Sequence, residues 1–218
     1  MNHTETPLSL YIHFPWCTKK CPYCDFNSHT LANNLPELEY IDALVRDLCD
    51  EQQDEQRRHL TSIFFGGGTP SLFSGKSINQ LIRQVDQWFA IDGCEITIEA
   101  NPGTFDQSNF ENYRQAGVNR LSLGAQSFKQ YHLEKLGRIH SPDDIFEGID
   151  SLLDEEGVIL IENQYVFDTL QSGAFDQIYH EHMFYYSVQN MQNYLNSHSF
   201  DLNDIFFTNI HGGSIGFI

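Results

Sequence analysis

Three cysteines stand at C-x3-C-x2-C spacing in Cys17-Thr-Lys-Lys-Cys21-Pro-Tyr-Cys24, just after the short apolar run Leu8-Ser-Leu-Tyr-Ile-His-Phe14. A disulfide would use two of these thiols and leave one over. A structural zinc ion takes four ligands in a closed tetrahedron, so it would need a distant His as the fourth. Three thiolates on one tight loop suit a third chemistry. They can hold three irons of a [4Fe–4S] cluster and leave the fourth iron open. An open iron can chelate the amino and carboxylate groups of S-adenosylmethionine (SAM). An electron from the cluster then breaks the sulfonium C–S bond and releases a 5′-deoxyadenosyl radical, cofactor chemistry that a protein only positions.

Composition bounds the rest. The chain has 218 residues, 40 % of them hydrophobic, enough for one large domain or two small ones. No apolar run reaches the length of a membrane span, and the first residues lack the pattern of a secretory signal. Five cysteines, three of them clustered, argue for a reducing compartment, so a cytoplasmic location is expected. Cys49, within a helical pattern, and Cys94, just before a strand, read as packing residues. The net charge of −18 disfavours nucleic acid and anionic membrane as partners. That charge is uneven: residues 1–142 hold all 12 Lys and Arg and 17 acids, whereas residues 143–218 hold no Lys or Arg and 13 acids. The shift predicts a boundary between 1–142 and 143–218.

The elements that must position the cysteines read as strand then helix, repeated. Strands are expected at 8–14, 62–65, 95–99 and 120–124. Helices are expected at 36–50, 77–89, 106–116 (capped by Asp106 and ended by Gly117) and 129–136. This rhythm implies a parallel sheet curved into part of a β/α barrel of about four units. In such barrels chemistry sits at the C-terminal ends of the strands. The cysteine loop follows strand one. Gly66-Gly67-Gly68-Thr69-Pro70 follows strand two, Glu99-Ala-Asn-Pro102 closes strand three, and Gly124-Ala-Gln126-Ser-Phe128 closes strand four. Every unusual cluster falls on one rim.

Tyr11-Ile-His-Phe-Pro-Trp-Cys17 running into Cys21-Pro-Tyr-Cys24-Asp-Phe-Asn-Ser28 resembles the radical-SAM oxygen-independent coproporphyrinogen oxidase family. Phe26 stands where that family's oxidases carry a further cysteine, so the loop is most similar to the heme-chaperone branch, which is not expected to decarboxylate a porphyrinogen. The resemblance implies that Cys17, Cys21 and Cys24 hold the cluster. It implies that Tyr11, Tyr23, Gly67, Gly68, Thr69, Glu99, Gln126 and Arg138 surround SAM, with Arg138 on its carboxylate. Heme is implied as a further ligand, and a flavodoxin- or ferredoxin-like protein as the electron donor.

The resemblance runs to about Ser141 or Pro142. The family's later barrel strands and its His-Asn-x-x-Tyr-Trp heme motif are not found beyond that point, so a truncated and impaired module is expected. Residues 143–218 resemble the C-terminal part of a SAM-dependent sugar C-methyltransferase, a Rossmann-like α/β fragment. The likeness rests on Ser151-Leu-Leu-Asp-Glu-Glu-Gly-Val-Ile-Leu-Ile-Glu162 and Phe175-Asp-Gln-Ile-Tyr-His-Glu-His182. It implies Tyr179, Glu181 and His182 as candidates for base catalysis. The whole reads as a chimera, and the alternatives are a C-methyltransferase fragment or a non-functional fusion. A helix at 143–153 and a strand at 158–163 continue the β/α rhythm, so 158–163 is expected to dock beside strand four as a fifth strand, with Glu162 on the rim.

Overall fold

The structure is a computed structural model that describes residues 6–51, 57–104, 107–178, 184–210 and 213–218. Strand β1 (Leu8–Phe14) is followed by the short strands β2 (Trp16–Cys17) and β3 (His29–Thr30), then by helix α1 (Glu37–Glu51). Next come β4 (Leu60–Gly67), α2 (Gly75–Trp88), β5 (Glu95–Ala100), α3 (Gln107–Ala116), β6 (Arg120–Leu123) and α4 (Gln130–Lys135). The remainder holds α5 (Pro142–Asp150), β7 (Ile161–Gln164), α6 (Val166–Ser172), α7 (Val188–Ser197), β8 (Ile205–Thr208) and β9 (Ser214–Phe217).

Strands β1, β4, β5 and β6 form one parallel sheet in that order. The expected β/α units are therefore present, each strand falling within a few residues of its anticipated span. The helices form because their apolar residues recur at helical spacing: Ile78, Leu81, Ile82 and Val85 of α2 are all buried against the sheet. Burying each such side chain fully contributes about 1.5–3 kcal/mol. Ser74 caps α2 by accepting from the Ser77 N–H, and the Glu37 carboxylate accepts from both the Ser74 N–H and hydroxyl, which ties the starts of α1 and α2 together. Helix α3 stops at Gly117, whose φ of +108° suits glycine; Asp106, its expected cap, lies outside the described residues.

Helix α5 begins with a reciprocal cap. The Ser141 hydroxyl accepts from the Asp144 N–H, and the Asp144 carboxylate accepts from the Ser141 N–H at 2.7 Å. The composition break at 142 thus falls inside one capped helix start.

The fifth-strand expectation is overturned. Strand β7 pairs antiparallel with β9, which also pairs antiparallel with β8, in a separate three-stranded sheet. A Rossmann-like unit would pair its strands parallel, so the tail's strands are α/β in content without that topology. The physical reason is a core of their own. Ile215 and Phe217 of β9 are buried against Ile145 and Phe146 of α5 and Met191 and Leu195 of α7; moving β7 to the edge of β6 would separate β7 from that core. Glu162 is exposed, opposite Gly216. The place of a fifth strand is taken by a cavity of about 810 Å³ between β6 and the 158–164 segment. Phe128 fastens the tail to the loop after β6: its ring stacks on Tyr194 at 4.7 Å, and its carbonyl accepts from the Tyr194 hydroxyl.

Candidate active site at the C-terminal rim of the sheet

The cysteine loop is closed at its base by β2 and β3, which pair Trp16 with His29 and Cys17 with Thr30. The Leu31 N–H donates to the Cys17 carbonyl at 2.9 Å, and the Cys24 N–H donates to the Cys21 carbonyl at 3.1 Å. All three thiols are free; Cys17 is buried, whereas Cys21 and Cys24 are half-buried. Burial pushes the Cys17 thiol up from its ordinary value. Hydrogen bonds from the Thr69 and Ser28 hydroxyls oppose that shift, and charge on Cys24 and Cys21 would add to it. The three sulfurs therefore feel one another. Among the described residues no three His, Cys, Asp or Glu side chains converge closely enough to share one metal ion. A cubane cluster does not ask for that, because each thiolate takes a different iron corner. Three unpaired thiols on one pinned loop fit such a cluster. Cys94 is buried in the core behind the sheet, as its packing reading required.

The glycine run joins β4 to this loop. The Gly68 N–H donates to the Phe14 carbonyl at 2.6 Å and the Thr69 N–H to the Trp16 carbonyl at 2.7 Å. A side chain at Gly68 would stand 2.5 Å from the Trp16 carbonyl oxygen. Gly67 has φ +114°, and a Cβ there would meet the His13 ring at 2.5 Å. The glycines therefore permit close backbone approach, as expected, but the amides of Gly67, Gly68 and Thr69 are already spent on protein partners.

On one side of the loop stand Tyr11, His13, Gly67 and Glu99. The Gly67 N–H donates to the Glu99 carboxylate at 3.0 Å. Burial raises the Glu99 carboxyl above its usual range, against the lowering effects of that bond and of His13. The His13 Nε2 lies 2.8 Å from the Asn27 carbonyl and so donates to it, and its Nδ1 lies 3.0 Å from the Tyr11 hydroxyl. Sequence reading missed His13, although its place two residues after Tyr11 on β1 puts both on one face of the strand.

On the other side stand Cys21, Tyr23, Gly124, Gln126 and Arg138. The Arg138 Nη2 donates to the Gly124 carbonyl at 2.7 Å, and Nη1 reaches the Cys21 sulfur at 3.6 Å. Its Nε is buried without a partner, an unused donor that a carboxylate ligand would answer. Tyr23 is raised chiefly by burial, while Arg138 beside it pulls the other way. Gln126 is exposed on the rim with φ +66°. Behind it, the buried His140 lies 3.1 Å from both Asn101 Oδ1 and the Ala125 carbonyl, bracing the loops after β5 and β6. Sequence reading missed this brace, because nothing local marks a His that joins two loops.

Tyr179, Glu181 and His182 lie outside the described residues. Among those described, no helix is long and apolar enough to cross a membrane.

Comparison with known proteins agrees with this geometry. Residues 11–161 match the family described as Radical SAM superfamily. The heme chaperone HemW of Escherichia coli is 50 % identical over 139 residues, and that of Haemophilus influenzae 51 % over 140. A bovine mitochondrial relative, radical S-adenosyl methionine domain-containing protein 1, is 40 % identical over 144 residues. The E. coli and H. influenzae matches cover 63 % and 62 % of this chain and 37 % of each relative. Among solved structures, the coproporphyrinogen III oxidase HemN of E. coli, described as a radical SAM enzyme, superposes with a TM-score of 0.63 at 29 % identity, over 68 % of this chain and 35 % of that one. The family match passes the composition break at 142 and reaches the start of β7: the chain belongs to the Radical SAM superfamily, in a form that resembles the heme chaperones.

Proposed function

We propose that this chain is the cluster- and SAM-binding part of a heme-chaperone-type radical-SAM protein. The observation that carries this reading is the pinned loop bearing three free thiols at the strand ends, flanked by Glu99 on one side and Arg138 on the other. A [4Fe–4S] cluster with SAM bound supplies reductive cleavage of a sulfonium C–S bond. Cys17, Cys21 and Cys24 hold the cluster. Arg138, with an unused Nε–H and a guanidinium suited to a planar carboxylate, receives the SAM carboxylate. Glu99 and the adjoining Gly67-Gly68-Thr69 turn receive the amino end, and the pinned backbone of that turn keeps the acceptor from drifting. Tyr11 and Tyr23 wall the site, and Gln126 reaches for the ribose from the rim.

Heme is the proposed cargo, after the name of the relatives, and a flavodoxin- or ferredoxin-like protein the proposed electron donor. Five free thiols suit a reducing compartment, so the proposed location is the cytoplasm. The chain spans 37 % of the length of the first two HemW relatives, and the reading assigns it cofactor binding, with heme transfer left to a fuller protein.

The test is anaerobic reconstitution with iron and sulfide, followed by electron paramagnetic resonance of the reduced protein before and after SAM is added. A [4Fe–4S] signal that changes with SAM is the expected result. A protein that takes up no cluster, or one whose signal ignores SAM, would sink the reading.

A further inference from the structure

Lys20 lies inside the cysteine motif, next to Cys21. The residue is exposed, yet its ammonium turns back onto the loop. The ammonium donates to the Phe26 carbonyl at 3.1 Å and to the Ser28 carbonyl at 2.9 Å. Its own N–H donates to the Thr30 hydroxyl at 3.3 Å. One residue thus ties the start of the loop to its return limb at three points. Ser28 is almost wholly buried, and its hydroxyl lies 3.6 Å from the Cys24 sulfur and also bonds Cys17. A cation that fixes the Ser28 carbonyl therefore fixes the hydroxyl that touches two of the three cysteines.

We infer that Lys20 is a positioning residue of the cysteine loop: its ammonium clamps the Phe26 and Ser28 carbonyls, holds Cys17 and Cys24 in register through Ser28, and sets a fixed positive charge beside the cluster. The inference rests on the proposed binding of a cluster by Cys17, Cys21 and Cys24. Its chemistry has two consequences. Without the clamp the loop opens more readily and a bound cluster is lost faster. Without the cation the reduced cluster, which carries one more negative charge, is less stabilised, so its potential falls.

The experiment compares wild type with Lys20→Met, which keeps the apolar stem and removes the donors, and Lys20→Arg, which keeps the cation. Hydrogen exchange on the cluster-free proteins reads the clamp alone. The Ser28 amide should exchange about tenfold faster in Lys20→Met, the size of one charge-assisted hydrogen bond, while amides of the parallel sheet stay unchanged. After reconstitution, iron release to a chelator should quicken by a similar factor and the potential should move down. Lys20→Arg should restore the potential. Equal exchange, equal release and equal potential in Lys20→Met would overturn the inference. A wild type that takes up no cluster would overturn the underlying reading, and shows itself before any variant is compared.

Discussion

The Gly67 amide and the Glu99 carboxylate, 3.0 Å apart, join the ends of β4 and β5 at the rim. A half-buried carboxylate held by one backbone donor is not fully compensated for its desolvation, and its raised pKa follows from that. The folded state favours the neutral form, so the stability this group contributes is full below the ordinary carboxyl pKa and is lost as pH rises through the raised value. Glu99→Gln keeps the Gly67 bond and removes the charge. Its melting temperature should exceed that of wild type at pH 8 and match it near pH 4, while SAM affinity falls about tenfold, as when a charged hydrogen bond is lost. Thermal melts across pH and equilibrium dialysis check both.

Gly67 and Gly93 both have positive φ, but only Gly67 is crowded. A Cβ at Gly93 meets nothing within 4 Å, whereas one at Gly67 meets the His13 ring and the Phe14 carbonyl. Gly93→Ala should cost about 1 kcal/mol for the backbone conformation alone. Gly67→Ala should cost about 3 kcal/mol, strain and collision together. Urea unfolding distinguishes them.

His140 is held below the ordinary histidine pKa, first by burial and then by Arg138. Its stability contribution is therefore present above the unfolded pKa of about 6.5 and lost as pH falls through the depressed folded value. The melting temperature of wild type should drop on acidification below that point. His140→Gln should flatten this dependence and cost about 1–3 kcal/mol at pH 7.5 through the Asn101 and Ala125 contacts.

Phe128 carries the join between the rim and the tail, with Tyr194, Phe146 and Tyr186 rings within 5.9 Å. Phe128→Ala should cost about 3 kcal/mol and loosen the tail before the sheet. Limited proteolysis should then cut after 150 while strands β1, β4, β5 and β6 stay protected.

Of the cysteines, Cys17, Cys21 and Cys24 should each abolish cluster uptake when changed to Ser. Cys49→Ser should leave uptake intact, because Cys49 lies on α1, away from the rim. Iron and sulfide content after reconstitution decides.

The parallel sheet was legible because period-two and helical apolar patterns alternate from Leu8 to Lys135, and such patterns are set by burial of each element's own face. The cysteine loop was legible because its ligands are neighbours in the chain. Tyr11, Tyr23, Glu99 and Arg138 were found through family likeness, and the tertiary structure alone decided what they touch: Glu99 meets Gly67, and Arg138 meets Gly124 and Cys21, contacts between residues up to 117 positions apart. The tail shows the limit most plainly. An apolar run at 158–163 reads the same whether its partner is β6 or β9. The choice fell to β9 because Ile215 and Phe217 find complete burial against α5 and α7, and no local pattern carries that difference in buried area.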